Sequence, residues 1–137
     1  MALAFLVGRM LFGGFFLFSG LNHFASAATM AQFAAAKGVP YPELGIIFTG
    51  CLLAFGGLSI MLGWRPELGI ASLVFFLVLV TPAMHNFWDE AGAERVNDMG
   101  NFLKNVALCG GSLMLIAVPR PWIYSIERAR RVRASTV

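Results

Sequence analysis

Residues 3–24 read LAFLVGRMLFGGFFLFSGLNHF. This apolar run holds one full charge, Arg9, and is as long as an α-helix must be to cross a bilayer core, about 20 residues. In lipid every backbone N–H and C=O must find a partner inside its own segment, so such a run has to be helical. A membrane strand would be shorter and would alternate polar with apolar residues, a pattern absent here. Three more stretches repeat the signal at about residues 44–62, 68–88 and 99–118. Working outward from them, the sequence predicts an all-α protein. A four-helix transmembrane bundle occupies residues 1–119, and a basic tail occupies residues 120–137. Ala25-Ser26-Ala27 resembles a signal-peptide cleavage site, but no basic residue precedes the run and Arg9 lies inside it, so the first segment is read as retained.

Composition agrees. Of the 137 residues, 58% are hydrophobic and 12% charged, with mean hydropathy +0.76. A soluble domain carries about twice that share of charge. The net charge is only +3, which argues against a nucleic-acid partner and makes the lipid bilayer the expected surrounding. The charges sort by position. Arg65, Arg120, Arg128, Arg130, Arg131 and Arg133, with Arg9, fall at one end of the spans. Lys37, Arg95 and Lys104 fall at the other, among Glu43, Asp89, Glu90, Glu94 and Asp98. The positive-inside rule then predicts both termini in the cytoplasm.

Between the first two spans, residues 26–37 (SAATMAQFAAAK) read as a short helix ending at Gly38, lying at the interface or solvated as a loop helix. After Pro119 the tail groups Trp122, Ile123 and Ile126 among arginines, which suits an amphipathic segment lying on anionic headgroups. The pairs Gly13-Gly14, Gly56-Gly57 and Gly110-Gly111 predict close helix approach inside the bundle, with self-association or packing against other membrane subunits as the alternative.

Polar residues inside spans are costly and mark function or a partner. Asn22 and His23 close the first span. His85, Asn86 and Trp88 close the third, and Asn101, Lys104 and Asn105 open the fourth. On the predicted topology all eight share the outer leaflet. In one reading they glue helix ends together at headgroup depth. In the other they line a ligand pocket, where His23, His85 and Lys104 would supply hydrogen-bond donors to a quinone-like ring or lipid head. A metal held by His23 and His85 with Asp89 or Glu90 has no ligand spacing behind it, and no metal site is expected. Arg9 sits at the cytoplasmic side, within reach of snorkelling or of pairing with Glu67 or an anionic head; a structural role is expected. Cys51 and Cys109 lie inside spans two and four and form no paired motif. Neither a CxxCH nor a cysteine cluster occurs, so no haem or iron–sulfur site is expected.

The chain resembles DoxX-family bacterial membrane proteins along nearly all its length. The carrying segments are Gly8-Arg9, Ser19-Gly20-Leu21-Asn22-His23, Lys37-Gly38-Val39-Pro40, Met84-His85-Asn86-Phe87-Trp88, and Asn101-Phe102-Leu103-Lys104-Asn105 through Gly110-Gly111. The resemblance implies a four-helix protein of the bacterial inner membrane. It also implies a small subunit or accessory protein of a quinone-linked oxidoreductase, without fixing whether this chain has chemistry of its own. A structural subunit of a larger complex and a lipid or small-solute binding protein are the alternatives. Relatives often carry a glutamate three residues before the Gly-Gly pair of span two. Here that position is Leu53, which puts independent catalysis in doubt.

Overall fold

A computed structural model describes residues 1–135, leaving the last two residues of the tail, 136 and 137, outside the described chain. It is all-helical: α1 (Ala2–Ala25), α2 (Ala27–Ala36), α3 (Pro42–Leu62), α4 (Pro66–Met84), α5 (Gly92–Ile116) and α6 (Ile126–Ser135), with one 3-10 turn at Phe87–Asp89. No strand occurs among the described residues. α1, α3, α4 with the turn after it, and α5 are long and apolar enough to cross a membrane. The expected short helix after the first span is α2.

α3 is the central helix, packed along α1 on one side and α4 on the other. The α1–α3 seam is built on glycine. A Cβ on Gly57 would lie 2.5 Å from the Gly13 carbonyl oxygen, and one on Gly20 would lie 2.6 Å from the Ala54 nitrogen. Small residues thus let the backbones meet directly, the way helices gain contact in lipid. Of the three glycine pairs, Gly13, Gly56 and Gly57 are buried this way, while Gly14 and Gly110 face open space. Phe16, Leu53, Ile60, Ile70, Leu73, Phe76 and Leu77 fill the core. Two hydroxyls inside the helices bond locally, Ser112 donating to the Leu108 carbonyl at 2.9 Å and Ser72 to that of Gly69 at 2.8 Å, while the buried Thr81 hydroxyl of α4 has no partner.

One predicted boundary moves. The third span was expected to reach residue 88, and the candidate span does run to Asp89 through the 3-10 turn, though the α-helix within it, α4, stops at Met84. Pro82 lies inside it and removes a backbone donor, and only two more residues stay helical. The fourth span was expected from residue 99, but α5 begins at Gly92. Its first two turns carry Glu94, Arg95 and Asp98, which mask a helix from a hydropathy reading.

The tail differs most. Trp122 does not lie on headgroups; it is 2% exposed and belongs to the core. Its ring meets Phe5 edge-on, centroids 5.4 Å apart, and its indole N–H donates to the Val118 carbonyl at 3.2 Å. The cause is Arg9. Its guanidinium is buried and donates to the carbonyls of Ile123 (3.3 Å) and Tyr124 (2.7 Å), while stacking near Phe5 and Trp122. Arg9 therefore does not pair with Glu67, which is held by Arg120. The α3–α4 turn completes this knot. Gly63 adopts φ +59°, and a Cβ there would strike Ser125 at 2.5 Å and Arg9 at 2.9 Å, so only glycine fits. Ser59 caps the turn through the Trp64 carbonyl (2.7 Å), and Glu127 accepts from the Arg65 N–H (2.8 Å). The exposed arginines Arg128 and Arg130 follow on α6.

Candidate functional site

At the opposite end from Arg9 the helices part around a cavity of about 900 Å³. α1 and α3 form its back wall, α2 roofs it, and α4 and α5 close the far side. α5 packs on α4 and forms no comparable backbone seam with α1, though Gly111 lies against the Phe12 ring. Its wall is largely apolar and aromatic: Phe15 and Phe16 from α1, Phe33 from α2, Leu53 from α3, Phe76 from α4 and Leu108 from α5.

The polar groups on this wall are few, and their hydrogen bonds are defined. His23 places Nδ1 2.8 Å from the Ser19 carbonyl oxygen. A carbonyl oxygen can only accept, so Nδ1 carries the proton and the neutral ring keeps a lone pair on Nε2. The His23 ring stands edge-on to Phe76, centroids 6.2 Å apart. His85 follows the end of α4 and places Nδ1 3.4 Å from Asp98 Oδ1, which fixes the same tautomer. The Ser19 hydroxyl donates to the Phe15 carbonyl at 2.9 Å and the Thr49 hydroxyl to that of Gly45 at 2.7 Å.

A charged cluster closes the rim. Lys37 donates to Asn86 Oδ1 (3.0 Å), to Asp98 Oδ2 (3.0 Å) and to Glu90 Oε1. One ammonium thus ties the end of α2 to the α4–α5 link and to α5. The hydrogen bonds from Glu90 and then Asp98 hold the Lys37 pKa above its ordinary 10.5, outweighing the opposing effect of burial. The sign follows directly: a raised lysine pKa gives stability that is complete below pH 10.5 and is lost only as pH rises through the folded value. The clamp should therefore stay shut across the neutral range and open in alkali. The chain has two lysines, and Lys104 is exposed. Amine acylation at pH 8, read by mass spectrometry, should label Lys104 well before Lys37. Equal rates would show the clamp open in solution.

Of the eight residues expected at this end, the structure brings His23, His85, Lys104 and Asn105 to the cavity wall. The other four stand elsewhere. Asn22 is exposed and accepts from Ser26. Asn86 serves the clamp, accepting from Lys37 and donating to Asp89 (3.1 Å). Trp88 is half exposed and packs edge-on with Phe87 and Phe102. Asn101 accepts from Lys104 Nζ at 2.9 Å. Asn22 faces away because it follows Leu21 on the outer side of α1, a helical step from the cavity-facing His23. Three functional side chains were missed as site residues: Lys37, Glu90 and Asp98. All three were visible as outer-end charges, but nothing local tells a solvated charge from a paired one. Among the described residues no three His, Cys, Asp or Glu side chains gather as a metal ligand set.

Comparison with known proteins agrees with this architecture. The DoxX family model matches residues 4–86. The chain is similar to inner membrane protein YphA of Escherichia coli K12, with 33% identity over 100 residues, covering 71% of this chain and 69% of the relative. No solved structure matches. The chain belongs to the DoxX family.

Proposed function

We propose that this DoxX-family membrane protein is a small inner-membrane subunit or accessory protein of quinone-linked oxidoreduction, with the Arg9 end and both termini in the cytoplasm. In this reading the cavity at the histidine end holds a quinone-class ring. The observation that carries it is the cavity itself: about 900 Å³, walled by aromatic and aliphatic side chains, with a few polar groups from several helices or their ends in the lining. Relatives often carry a glutamate where this chain has Leu53, and Leu53 lines the cavity at 1% exposure. The missing carboxylate favours a binding role over proton chemistry of the chain's own.

Gly45 supplies a clean test. It lines the cavity, and a Cβ there meets nothing within 4 Å. Gly45→Phe should occupy the space without disturbing the fold. A short-tailed benzoquinone analogue should bind the purified wild type in detergent and lose at least tenfold affinity in Gly45→Phe, and also weaken in His85→Ala. Absence of binding to the wild type would remove the reading. Binding unchanged in both variants would move it off this cavity.

A second reading rests on α5. Its outer face presents Leu103, Val106 and Met114 exposed, with Gly110 open to the surroundings. That face fits a transmembrane helix of a larger complex, for which this chain would be a structural subunit. A native complex mass equal to the lone chain would speak against it.

A further inference from the structure

The hydrogen-bonding character of the cavity divides by wall, and on the α1–α3 side the polar side chains have spent their protons. His23 spends its Nδ1 proton on the Ser19 carbonyl and His85 spends its own on Asp98. With Nδ1 so engaged, the neutral form of either ring has only the Nε2 lone pair left to offer. Ser19 and Thr49 spend their hydroxyl protons on the carbonyls of Phe15 and Gly45, so their oxygens can only accept from anything else. Lys37 reaches the wall but has three N–H bonds and three partners, Asn86, Glu90 and Asp98. Its donors are used up. The donors that remain are the Lys104 ammonium, with one bond already given to Asn101, the Asn105 amide and the Thr29 hydroxyl, and all three come from α5 or α2.

From this inventory we infer that the cavity selects a ligand whose polar end donates hydrogen bonds, a neutral hydroxyl on an aromatic ring, over the same ring carrying a carbonyl. A buried donor left without an acceptor loses its hydration for nothing, and the same holds for a buried acceptor. A ring hydroxyl gives the His23 and His85 lone pairs what they lack. A carbonyl oxygen turned to the α1–α3 wall meets only other acceptors there, and its donors would have to come from Lys104, Asn105 or Thr29 on the other helices. An ammonium ligand fits less well: Asp98 and Glu90 are engaged by Lys37, and Lys104 lines the same cavity with its own positive charge. The aromatic walls provided by Phe15, Phe16, Phe33 and Phe76 suit a ring. This inference rests on the quinone-class reading above and sharpens it: the reduced, dihydroxy form is the one held. The expectation that the histidines act as donors is thereby reversed, because the protein has already consumed their protons.

The experiment compares three probes with one alkyl tail: a benzohydroquinone kept reduced under anaerobic conditions, its benzoquinone, and the hydroquinone dimethyl ether. Each is titrated against purified protein in detergent at pH 8. The hydroquinone should bind about tenfold more tightly than either other probe. In His23→Phe, which keeps a ring against Phe76 but removes the acceptor, the preference should fall to about threefold or less. Ser19→Ala provides a second variant that leaves both rings in place and should lower it more mildly. Quinone binding as tight as hydroquinone, or a preference that survives in both variants, overturns the inference while leaving the cavity a quinone-class site. If none of the three binds, the proposed function falls, and this inference with it.

Discussion

Replacing Arg9 with leucine should lower stability by about 3 kcal/mol and release the tail. The guanidinium is 2% exposed and is the group that joins α1 to the segment after Pro119. It donates to two backbone carbonyls, Ile123 and Tyr124, that have no helical partner there. Removing it strands both acceptors, and hydrogen bonds from a charged donor are the stronger kind. It also takes away the cation that sits 5.7 Å from the Trp122 ring and 5.9 Å from that of Phe5. Arg9→Lys should recover little. A lysine ammonium is a point donor and lacks the planar fork that reaches two carbonyls while lying against two rings. Two measurements check this: thermal unfolding in detergent, and limited chymotrypsin digestion. In the wild type Trp122 is buried, so the Trp122–Ile123 bond is shielded by docking; in Arg9→Leu cleavage there should become fast. A variant that melts with the wild type and keeps its tail protected would refute the assignment.

The same residue shows where a sequence stops being legible. A lone arginine two turns inside an apolar run is visibly costly, so a structural use could be read from position alone. Its partners could not, because they are main-chain carbonyls 114 and 115 positions away. Backbone atoms leave no residue-type signal. Trp122 was misplaced for the same reason. Beside arginines it reads as an interfacial anchor, and only the Arg9 contact draws it into the core. The four spans were legible because length and hydropathy are summed over about 20 residues and tolerate local exceptions. The ends of α4 and α5 were not, because there a proline and three charged residues act singly. At the histidine end, helix periodicity and depth placed His23, His85, Lys104 and Asn105 at one end of the bundle, and all four line the cavity there. The clamp was missed because Lys37 and Asp98 lie 61 positions apart, and a charge looks the same in sequence whether water or a carboxylate surrounds it.

The α1–α3 seam makes the sharpest demand on residue size, and Gly57→Ala should cost about 3 kcal/mol or prevent assembly of the bundle. The added methyl would sit 2.5 Å from the Gly13 carbonyl oxygen and 2.5 Å from the Leu17 nitrogen. Both are backbone atoms in the middle of a helix, so neither can swing aside as a side chain would. Relief requires α1 and α3 to separate along their length, which also opens the contacts of Phe16 and Leu53. The effect is geometric rather than a matter of helix propensity, and a control separates the two. Gly14 and Gly110 are also helical, but a Cβ at either meets nothing within 4 Å. Alanine there should be neutral or stabilising by about 0.5–1 kcal/mol, the ordinary helical preference over glycine. Because Gly20, two turns from Gly13 on the same face, meets Ala54 at 2.6 Å, Gly20→Ala should behave like Gly57→Ala and should also shift the back wall of the cavity, where His23 sits one turn further on. Thermal unfolding of the four variants in one detergent, with hydroquinone binding measured on those that fold, decides the matter. A Gly57→Ala variant as stable as Gly14→Ala would mean that α1 and α3 do not meet backbone to backbone.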